Sequence, residues 1–196
     1  MGALLDDQPR CFWVGRDPLM VAYHDDEWGR PCRDDRELYA RLMLDGFQAG
    51  LSWSIILRKR DGFRRAFDGF NPDLVAAYGP EDVARLLADA GIVRNRQKIE
   101  ATISNARAWQ SLQQESTSFS DFLWSFVGGE PLRHPEGYTP ETLPAKSAES
   151  DAMSKALRQR GFRFVGSTIC YAFMQGSGLV DDHVSGCFRF EPRGGA

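Results

Sequence analysis

Apolar side chains recur at intervals of three and four residues along most of this chain, and this helical periodicity constrains the fold more than any other feature of the sequence. The alternation of apolar and polar residues that is typical of half-buried strands is nearly absent. The longest unbroken apolar run is Ile169–Met174, whereas a transmembrane helix needs ~20 apolar residues. The sequence therefore predicts an all-α fold without a sheet of any size, and no association with a membrane.

Capping residues and apolar spacing predict the individual helices. In chain order these are a helix capped by Asp34, one that follows Ser52, one from Pro80 to Gly91, one that starts near Arg94–Asn95, a short aromatic one at Phe119–Val127, one at Asp151–Arg160 capped by Ser150, and one at Ser167–Gly176. The segment Leu132–Pro144 contains several prolines and a glycine, so we expect an irregular connection there.

The charge of the chain is unevenly distributed. Its net charge of -3, from 24 basic and 27 acidic residues, does not by itself indicate a nucleic-acid binder. Basic residues cluster at Arg58–Arg65, Arg94–Arg107 and Lys155–Arg163, and each cluster is either a solvated helix face or a surface for phosphate. Met1–Arg10 has two aspartates and no apolar core, which excludes a secretory signal. We expect a cytoplasmic protein.

Two pairs of potential metal ligands lie near opposite ends of the chain. Cys11 and His24 form one pair, and His183 and Cys187 form the other. Two thiolates and two imidazoles make a closed tetrahedral zinc site, which stabilises a fold and leaves no position for a reactive water. The alternatives are four unrelated buried residues or a Cys11–Cys187 disulfide, and a reducing compartment disfavours the disulfide.

A turn between two predicted helices carries three basic residues, at Arg94, Arg96 and Lys98. The first helix ends near Gly91, so the second presents its N-terminal amides at the turn, where amides and helix dipole favour an anion such as a DNA phosphate. The helix dipole alone disfavours basic residues at a helix N-terminus, so their presence favours a bound anion there. The alternative is an ordinary corner between helices with solvated arginines.

A carboxylate, an amide and an indole lie close together in the segment Asp45–Trp53. Gly50 allows a close approach of the backbone to another molecule, and Leu51 provides an apolar tip. A carboxylate and a Trp53 face suit a flat, electron-poor or cationic ring. The alternative is that Trp53 belongs to the core.

Four motifs resemble the bacterial 3-methyladenine DNA glycosylase I (Tag) family, namely Tyr23–Gly29, Gln48–Trp53, Gly161–Gly166 and Asp182–His183. They occur in the family's order, and the resemblance covers Arg10–Phe188. It implies a helix-hairpin-helix glycosylase fold and an enzyme of base-excision repair. Such an enzyme flips N3-methylated adenine out of alkylated double-stranded DNA and hydrolyses its glycosidic bond, so free 3-methyladenine is the product.

The resemblance also implies roles for individual residues. One structural Zn2+ per chain joins the chain ends through Cys11, His24, His183 and Cys187. Base-binding residues are Trp53, which stacks on the flipped base, the pocket aromatics Tyr23 and Trp13, and Gln48. Gly50 and Leu51 match the segment that binds DNA by filling the gap left by the flipped nucleotide. The DNA-binding role of Gly91, Arg94, Arg96 and Lys98 rests instead on the argument from the helix N-terminus.

The sequence departs from the family pattern at two positions. Asp45 stands at the catalytic pocket position where the family normally has glutamate, and Met20 stands where it often has tyrosine. These departures leave open a non-catalytic relative that only binds DNA or lesions. A zinc hydrolase unrelated to DNA is a further alternative, but it requires an open metal site.

The wider superfamily usually has a catalytic aspartate about twenty residues beyond the hairpin. Residues 108–114 contain no carboxylate, which argues against that mechanism and against lyase activity through a lysine there. We therefore expect a monofunctional hydrolase. Residues 10–190 are predicted to form one domain of two lobes, with 49–140 as the helix-hairpin-helix lobe and 10–48 with 141–190 as the zinc-binding lobe. Residues 1–9 are expected to be flexible, and the protein to be monomeric.

Overall fold

The computed structural model describes residues 7–115 and 118–191, and most of these residues are helical. Its α-helices are α1 (Pro18–Asp26), α2 (Asp35–Gln48), α3 (Trp53–Ala66), α4 (Pro72–Ala76), α5 (Pro80–Ala88), α6 (Arg96–Gln114), α7 (Phe119–Trp124), α8 (Ala148–Gln159) and α9 (Ser167–Gly176). Two short strands, β1 (Leu132–Arg133) and β2 (Val180–Asp181), pair in parallel. The predicted all-α fold is confirmed, and the strands are too short to leave an alternating pattern in the sequence.

Helix α2 forms the centre of the molecule. Its predicted cap is confirmed, because the Asp34 side chain accepts a hydrogen bond from the Glu37 amide at 2.8 Å. Asp35 accepts further hydrogen bonds from the amides of Phe119 and Ser120, so the start of α2 also fixes the start of α7. Almost all side chains in the second half of α2 are buried. A residue there can reach an interior cavity, as Asp45 does.

The predicted start of α8 was wrong. Ser147, not Ser150, is the N-cap, and the two serines satisfy each other's amides in a reciprocal capping box. Helix α8 consequently begins one turn earlier than expected. The predicted end of α5 at Gly91 was also late, because Asp89 already has an extended backbone. Helix α9 has the predicted bounds.

Helices α1 and α4 were not predicted. Each has a proline in its first turn and an Asp or Asn cap, since Asp17 accepts from the Leu19 amide and Asn71 from the Asp73 amide. Both are short, and α1 shows little segregation of apolar and polar side chains, so periodicity gave no signal. Helix α1 carries Tyr23 and His24, two of the residues that were predicted to form the functional site.

Buried apolar side chains form two clusters. The larger one surrounds α2 and runs from Leu38 to Val180, so it draws residues from both predicted lobes. The smaller one joins the chain ends and includes Cys11, Trp28 and Cys187. The proposed lobe boundaries stay a prediction. Of the segment 1–9 that was predicted to be flexible, residues 1–6 lie outside the described part of the chain.

None of the helices in the described ranges is long and apolar enough to cross a membrane. The chain ends are held together directly, because the Phe188 amide donates to the Pro9 carbonyl at 2.8 Å.

Candidate active site and metal centre

A cavity of about 530 Å³ opens between α1, α2, α3 and α9. Its walls are mostly apolar or aromatic, with a few polar groups, which is typical of a small-molecule site. The lining residues that the sequence had singled out are Trp13, Met20, Tyr23, Asp45, Gln48 and Trp53. The fold therefore brings every predicted base-binding residue, the predicted catalytic residue and the Met20 departure to one cavity.

The aromatic residues form one continuous wall. The ring centroids of Tyr23 and Trp53 are 5.2 Å apart at 47°, and those of Trp13 and Tyr23 are 6.5 Å apart. A base inserted between two rings needs a spacing of roughly 7 Å, two van der Waals contacts of about 3.5 Å. The rings of Tyr23 and Trp53 are therefore too close for a flat ring to lie between them, and they offer one shared apolar surface to the cavity.

Asp45 lies at the inner end of the cavity and is only 6% exposed. Its carboxyl group accepts no hydrogen bond from any other described residue. Burial raises the pKa of Asp45 well above its usual range, and the positive charge of Arg41 partly opposes this. Burial raises the pKa of Tyr23 on α1 and of Cys170 on α9, and the Asp45 charge raises both further. Asp45 is thus a buried acid without a partner, directed at a cavity.

A second, small cavity lies behind Asp45. Arg41 lines it, one turn before Asp45 on α2, and donates to Glu37 Oε1 at 3.2 Å and to the Gly176 carbonyl at 2.9 Å. Arg60 and Arg64 of α3 line it as well, each paired with a glutamate. Arg41 is therefore held by contacts on two helices close to the buried acid.

Residues that follow Asp45 lead to the protein surface. Gln48 is the last residue of α2, and its carbonyl accepts from the Leu51 amide at 2.6 Å. Gly50 between them has φ +77, a left-handed conformation that favours glycine, and no atom lies within 4 Å of the position of a Cβ. Leu51 is 38% exposed. This tight turn presents an apolar side chain to solvent at the rim of the cavity.

The predicted hairpin connects α5 to α6 through residues 89–95. Gly91 packs closely on α3, since a Cβ on Gly62 would lie 2.4 Å from the Gly91 carbonyl oxygen. Asn95 caps α6 by accepting from the Lys98 amide. The amides of Val93 and Arg94 donate to no acceptor among the described residues.

The three basic residues of the hairpin differ in their positions. Arg94 and Arg96 are exposed, as expected. Lys98 is 7% exposed, and its Nζ donates to the carbonyls of Phe47 and Ala49. Its ammonium group thus points into the protein, and the expectation that Lys98 contacts a phosphate is corrected. The sequence shows that a lysine lies near a helix N-terminus but not which carbonyls face it.

Three of the four predicted metal ligands meet at the chain ends. Ligand atoms of Cys11, His24 and Cys187 all lie within 4.8 Å of one another and are buried. The Cys187 sulfur is 3.4 Å from His24 Nε2, while His24 Nδ1 is 2.8 Å from Asp25 Oδ1. A hydrogen bond with Cys11 lowers the pKa of Cys187 to about 4, which favours a thiolate. These residues are close enough to bind a metal ion.

His183 is the fourth predicted ligand and lies beside this group. Its ring is edge-on to that of His24, with centroids 5.2 Å apart. His183 Nδ1 lies 2.8 Å from Asp181 Oδ1, and its Nε2 is buried without a hydrogen-bond partner. A buried nitrogen of this kind costs free energy unless it has a partner. A carboxylate behind each histidine is also the usual arrangement at protein metal sites. The residues present therefore fit a metal ion with two sulfur and two nitrogen ligands.

Sequence reasoning missed several residues of the cavity. Trp28 lies against Trp13 and His183, with centroids 5.0 Å and 4.7 Å away, so it connects the cavity wall to the metal ligands. Gln175 lines the cavity from α9 and is fixed by a 2.8 Å hydrogen bond to Asp182. Trp28 lay within a recognised motif, whereas nothing in the local sequence around Gln175 indicated a role.

Comparisons with known proteins agree with this geometry. The model of the methyladenine glycosylase family matches residues 13–190. DNA-3-methyladenine glycosylase 1 of Escherichia coli strain K12 is 52% identical over 178 residues, which are 91% of this chain and 95% of that protein. The chain belongs to the methyladenine glycosylase family. The family segment contains every residue that lines the cavity, together with His24, His183 and Cys187, whereas Cys11 lies just before it.

Solved structures of methyladenine glycosylases have the same fold. A crystal structure of 3-methyladenine DNA glycosylase I has a TM-score of 0.91 at 52% identity, covering 93% of this chain and all of the other. A single-residue variant of a 3-methyladenine DNA glycosylase I, solved in complex with 3-methyladenine, has a TM-score of 0.87 at 34% identity. The two chains overlap over 91% of this one and 96% of the variant.

Proposed function

We propose that this protein is a DNA glycosylase that flips 3-methyladenine out of alkylated double-stranded DNA and hydrolyses its glycosidic bond. The observation that carries the proposal is an aromatic cavity that ends in a buried carboxyl group without a partner. A relative with the same fold has been solved with 3-methyladenine bound, which supports this ligand for the cavity. The products are the free base and an abasic site.

The positive charge of the methylated base distinguishes it from normal adenine. Methylation at N3 gives adenine a formal positive charge, so the base is already a good leaving group. A desolvated cation on the face of Trp53 or Tyr23 gains about 2 kcal/mol that neutral adenine does not gain. Flipping costs a few kcal/mol, and less for a damaged base. The aromatic wall therefore contributes to recognition as well as to stacking.

Asp45 completes this selection at the edge of the base. Its carboxylate accepts a hydrogen bond from the base and stabilises the positive charge there. A carboxyl group without a protein partner is free to do so, and its burial strengthens the interaction with a cation. Aspartate is one methylene shorter than the glutamate that the family normally has here. The base therefore lies deeper in the cavity, or Asp45 acts on it over a longer distance.

The DNA duplex is held at two places. Leu51, presented by the turn at Gly50, fills the gap that the flipped nucleotide leaves. The hairpin between α5 and α6 binds a phosphate through its free amides, and the exposed Arg94 and Arg96 add attraction for the backbone. This arrangement makes the two helices and their connection a helix-hairpin-helix element.

We further propose that the metal is one Zn2+ with a structural role, bound by Cys11, His24, His183 and Cys187. Sulfur and nitrogen ligands in equal number suit Zn2+, and four protein ligands leave no open position. When bound, zinc fixes the chain ends to each other. Trp28 and Trp13 pack on the two histidines, so the same ion stabilises one wall of the cavity.

The cellular setting follows from the same chemistry. Cysteine thiolates that ligate zinc must stay reduced, so we propose a reducing compartment such as the cytoplasm. We keep the expectation of a monomer, because the proposed metal ligands and the residues that line the main cavity all belong to one chain.

Single-turnover release of 3-methyladenine from alkylated duplex DNA tests the proposed function. We expect the wild-type protein to release the base and Trp53→Ala to bind undamaged DNA normally but release little. The non-catalytic alternative, which Asp45 and Met20 raise, predicts tight binding of lesions without release. A zinc hydrolase would keep its activity in Trp53→Ala and lose it on removal of the metal.

A further inference from the structure

Lys98 connects two parts of the structure that are far apart in sequence. It lies in the first turn of α6, directly after the hairpin, and its ammonium group is buried at the end of α2. Lys98 Nζ is 2.8 Å from the carbonyl oxygen of Phe47 and 2.6 Å from that of Ala49. Neither carbonyl accepts a hydrogen bond from any other described residue. Both depend on this lysine.

The two carbonyls belong to the C-terminal end of α2. That end carries a partial negative charge, and α2 has no basic residue of its own in its last turn. Lys98 therefore supplies the cap that α2 lacks. The capped segment holds Gln48 at the cavity and leads directly into the Gly50 turn that presents Leu51.

We propose that Lys98 is a positioning residue that couples the hairpin to the turn carrying Leu51, so that contact of the hairpin with DNA sets the insertion of Leu51 into the duplex. This inference rests on the proposed function. The ammonium group fixes the distance between the start of α6 and the end of α2. A phosphate bound before α6 and a side chain presented after α2 then act as one rigid unit.

The same geometry excludes a direct phosphate contact. To reach a phosphate, Lys98 would have to leave the buried Phe47 carbonyl and the half-buried Ala49 carbonyl without a donor, which costs free energy. Burial also lowers the pKa of Lys98, so its charge is already less favourable than that of an exposed lysine. Arg96, two residues earlier, is exposed, and its only described ion pair is a surface one with Glu100 at 3.5 Å, which a DNA phosphate can replace.

Three variants separate positioning from phosphate binding. Lys98→Met removes the ammonium group and keeps the apolar stem, Arg96→Met removes an exposed charge of the hairpin, and Lys155→Met removes an exposed charge on α8 as the control. The salt dependence of binding to undamaged duplex is measured first. We expect the slope of Lys98→Met to equal that of wild type and the slope of Arg96→Met to fall by about one unit. A fall of about one unit in Lys98→Met would overturn the proposal.

Single-turnover release at saturating enzyme is measured next. We expect Lys98→Met to release 3-methyladenine about 10- to 100-fold more slowly, the effect of one to two decades that a charged hydrogen bond carries. Lys155→Met should match wild type. Because Lys98 acts through Leu51, the double variant Lys98→Met with Leu51→Ala should be no slower than the slower single variant. Losses that multiply would show that the two residues act independently and would contradict the proposal.

A measurement on the wild-type protein covers the case in which Lys98→Met does not fold. Acetylation followed by mass spectrometry reports the reactivity of each lysine, with Lys155 as the exposed reference. We expect Lys98 to react much more slowly than Lys155, with or without DNA. Rapid reaction that DNA suppresses would mark a phosphate contact and overturn the proposal. If wild type releases no base at all, the proposed function fails, while labelling and salt slope still test Lys98.

Discussion

Replacing Asp45 with asparagine should separate function from stability, because the two are expected to change in opposite directions. Asp45 is 6% exposed, and no described residue donates a hydrogen bond to its carboxyl group. An ionised carboxylate in such a place is costly for the fold. Asn keeps nearly the same size and removes the charge. The expected result is slower release of 3-methyladenine from a protein that is at least as stable as wild type.

The loss of activity can be estimated from the interaction that Asp45 makes with a cationic base. A hydrogen bond to a charged group contributes about 1.5–3 kcal/mol, which is roughly one to two decades in rate. Binding to undamaged duplex should hardly change, since normal bases carry no charge for Asp45 to recognise. Single-turnover release and equilibrium binding measure the two effects separately.

The gain in stability depends on pH, and its sign follows from the raised pKa of Asp45. The unfolded chain loses this proton near pH 3.9, whereas the folded chain keeps it to a higher pH, so wild-type stability falls as pH rises between the two values. Each unit of difference corresponds to about 1.4 kcal/mol. Asp45→Asn has no carboxyl group to ionise and does not lose stability in this way. Its melting temperature should therefore equal that of wild type at pH 4 and exceed it increasingly toward neutral pH.

Asp82→Asn is a control of opposite sign. Asp82 accepts from the Gly79 amide, which lowers the pKa of its carboxyl group, so its charge stabilises the fold at neutral pH. We expect Asp82→Asn to lower thermal stability at pH 7 and to leave release unchanged. If Asp45→Asn releases base at the wild-type rate, Asp45 has no role in recognition. If it loses activity and stability together, its role is structural.

Three further predictions concern the surroundings of the site. Arg41→Met should move the acid limb of the pH profile of release to higher pH, because the Arg41 charge opposes the rise in the Asp45 pKa; an unchanged profile would contradict this. Asp45→Glu should release base at least as fast as wild type, since the cavity has room for one more methylene; slower release would mean that the backbone has adjusted to the shorter acid. Freshly purified protein should contain about one equivalent of zinc by elemental analysis, and less than half an equivalent would argue against the site. Cys187→Ser should lose the metal and melt at a lower temperature, whereas the control Cys32→Ser should do neither.

The sequence predicts helices best where the cap and the apolar stripe agree. Asp34 precedes a clear apolar stripe, and the start of α2 is where it was predicted. Around α8 the serines at 147 and 150 are both suitable caps, and only their reciprocal hydrogen bonds decide between them. Helix α1 has a recognisable start at Asp17 and Pro18, but its side chains form no apolar stripe, so the sequence did not predict it.

Site residues could be predicted where they lie close together in the sequence. Trp53 and Asp45 lie in one short segment, so their meeting at a cavity needed little tertiary information. Arg41 and Lys98 are held in place by carbonyls that the chain brings close only on folding, across 135 and about 50 residues. Charge near a helix terminus is visible in a sequence, but whether that charge faces solvent or a buried carbonyl is not.

The release of free 3-methyladenine tests the central claim most directly. Purified protein is incubated with alkylated duplex DNA, and the released bases are separated and identified by chromatography, with Trp53→Ala as the matched variant. The account predicts that wild type releases 3-methyladenine, leaves normal adenine in the duplex, and does not cut the strand, while Trp53→Ala releases far less. DNA binding by wild type without release of any methylated base would contradict it.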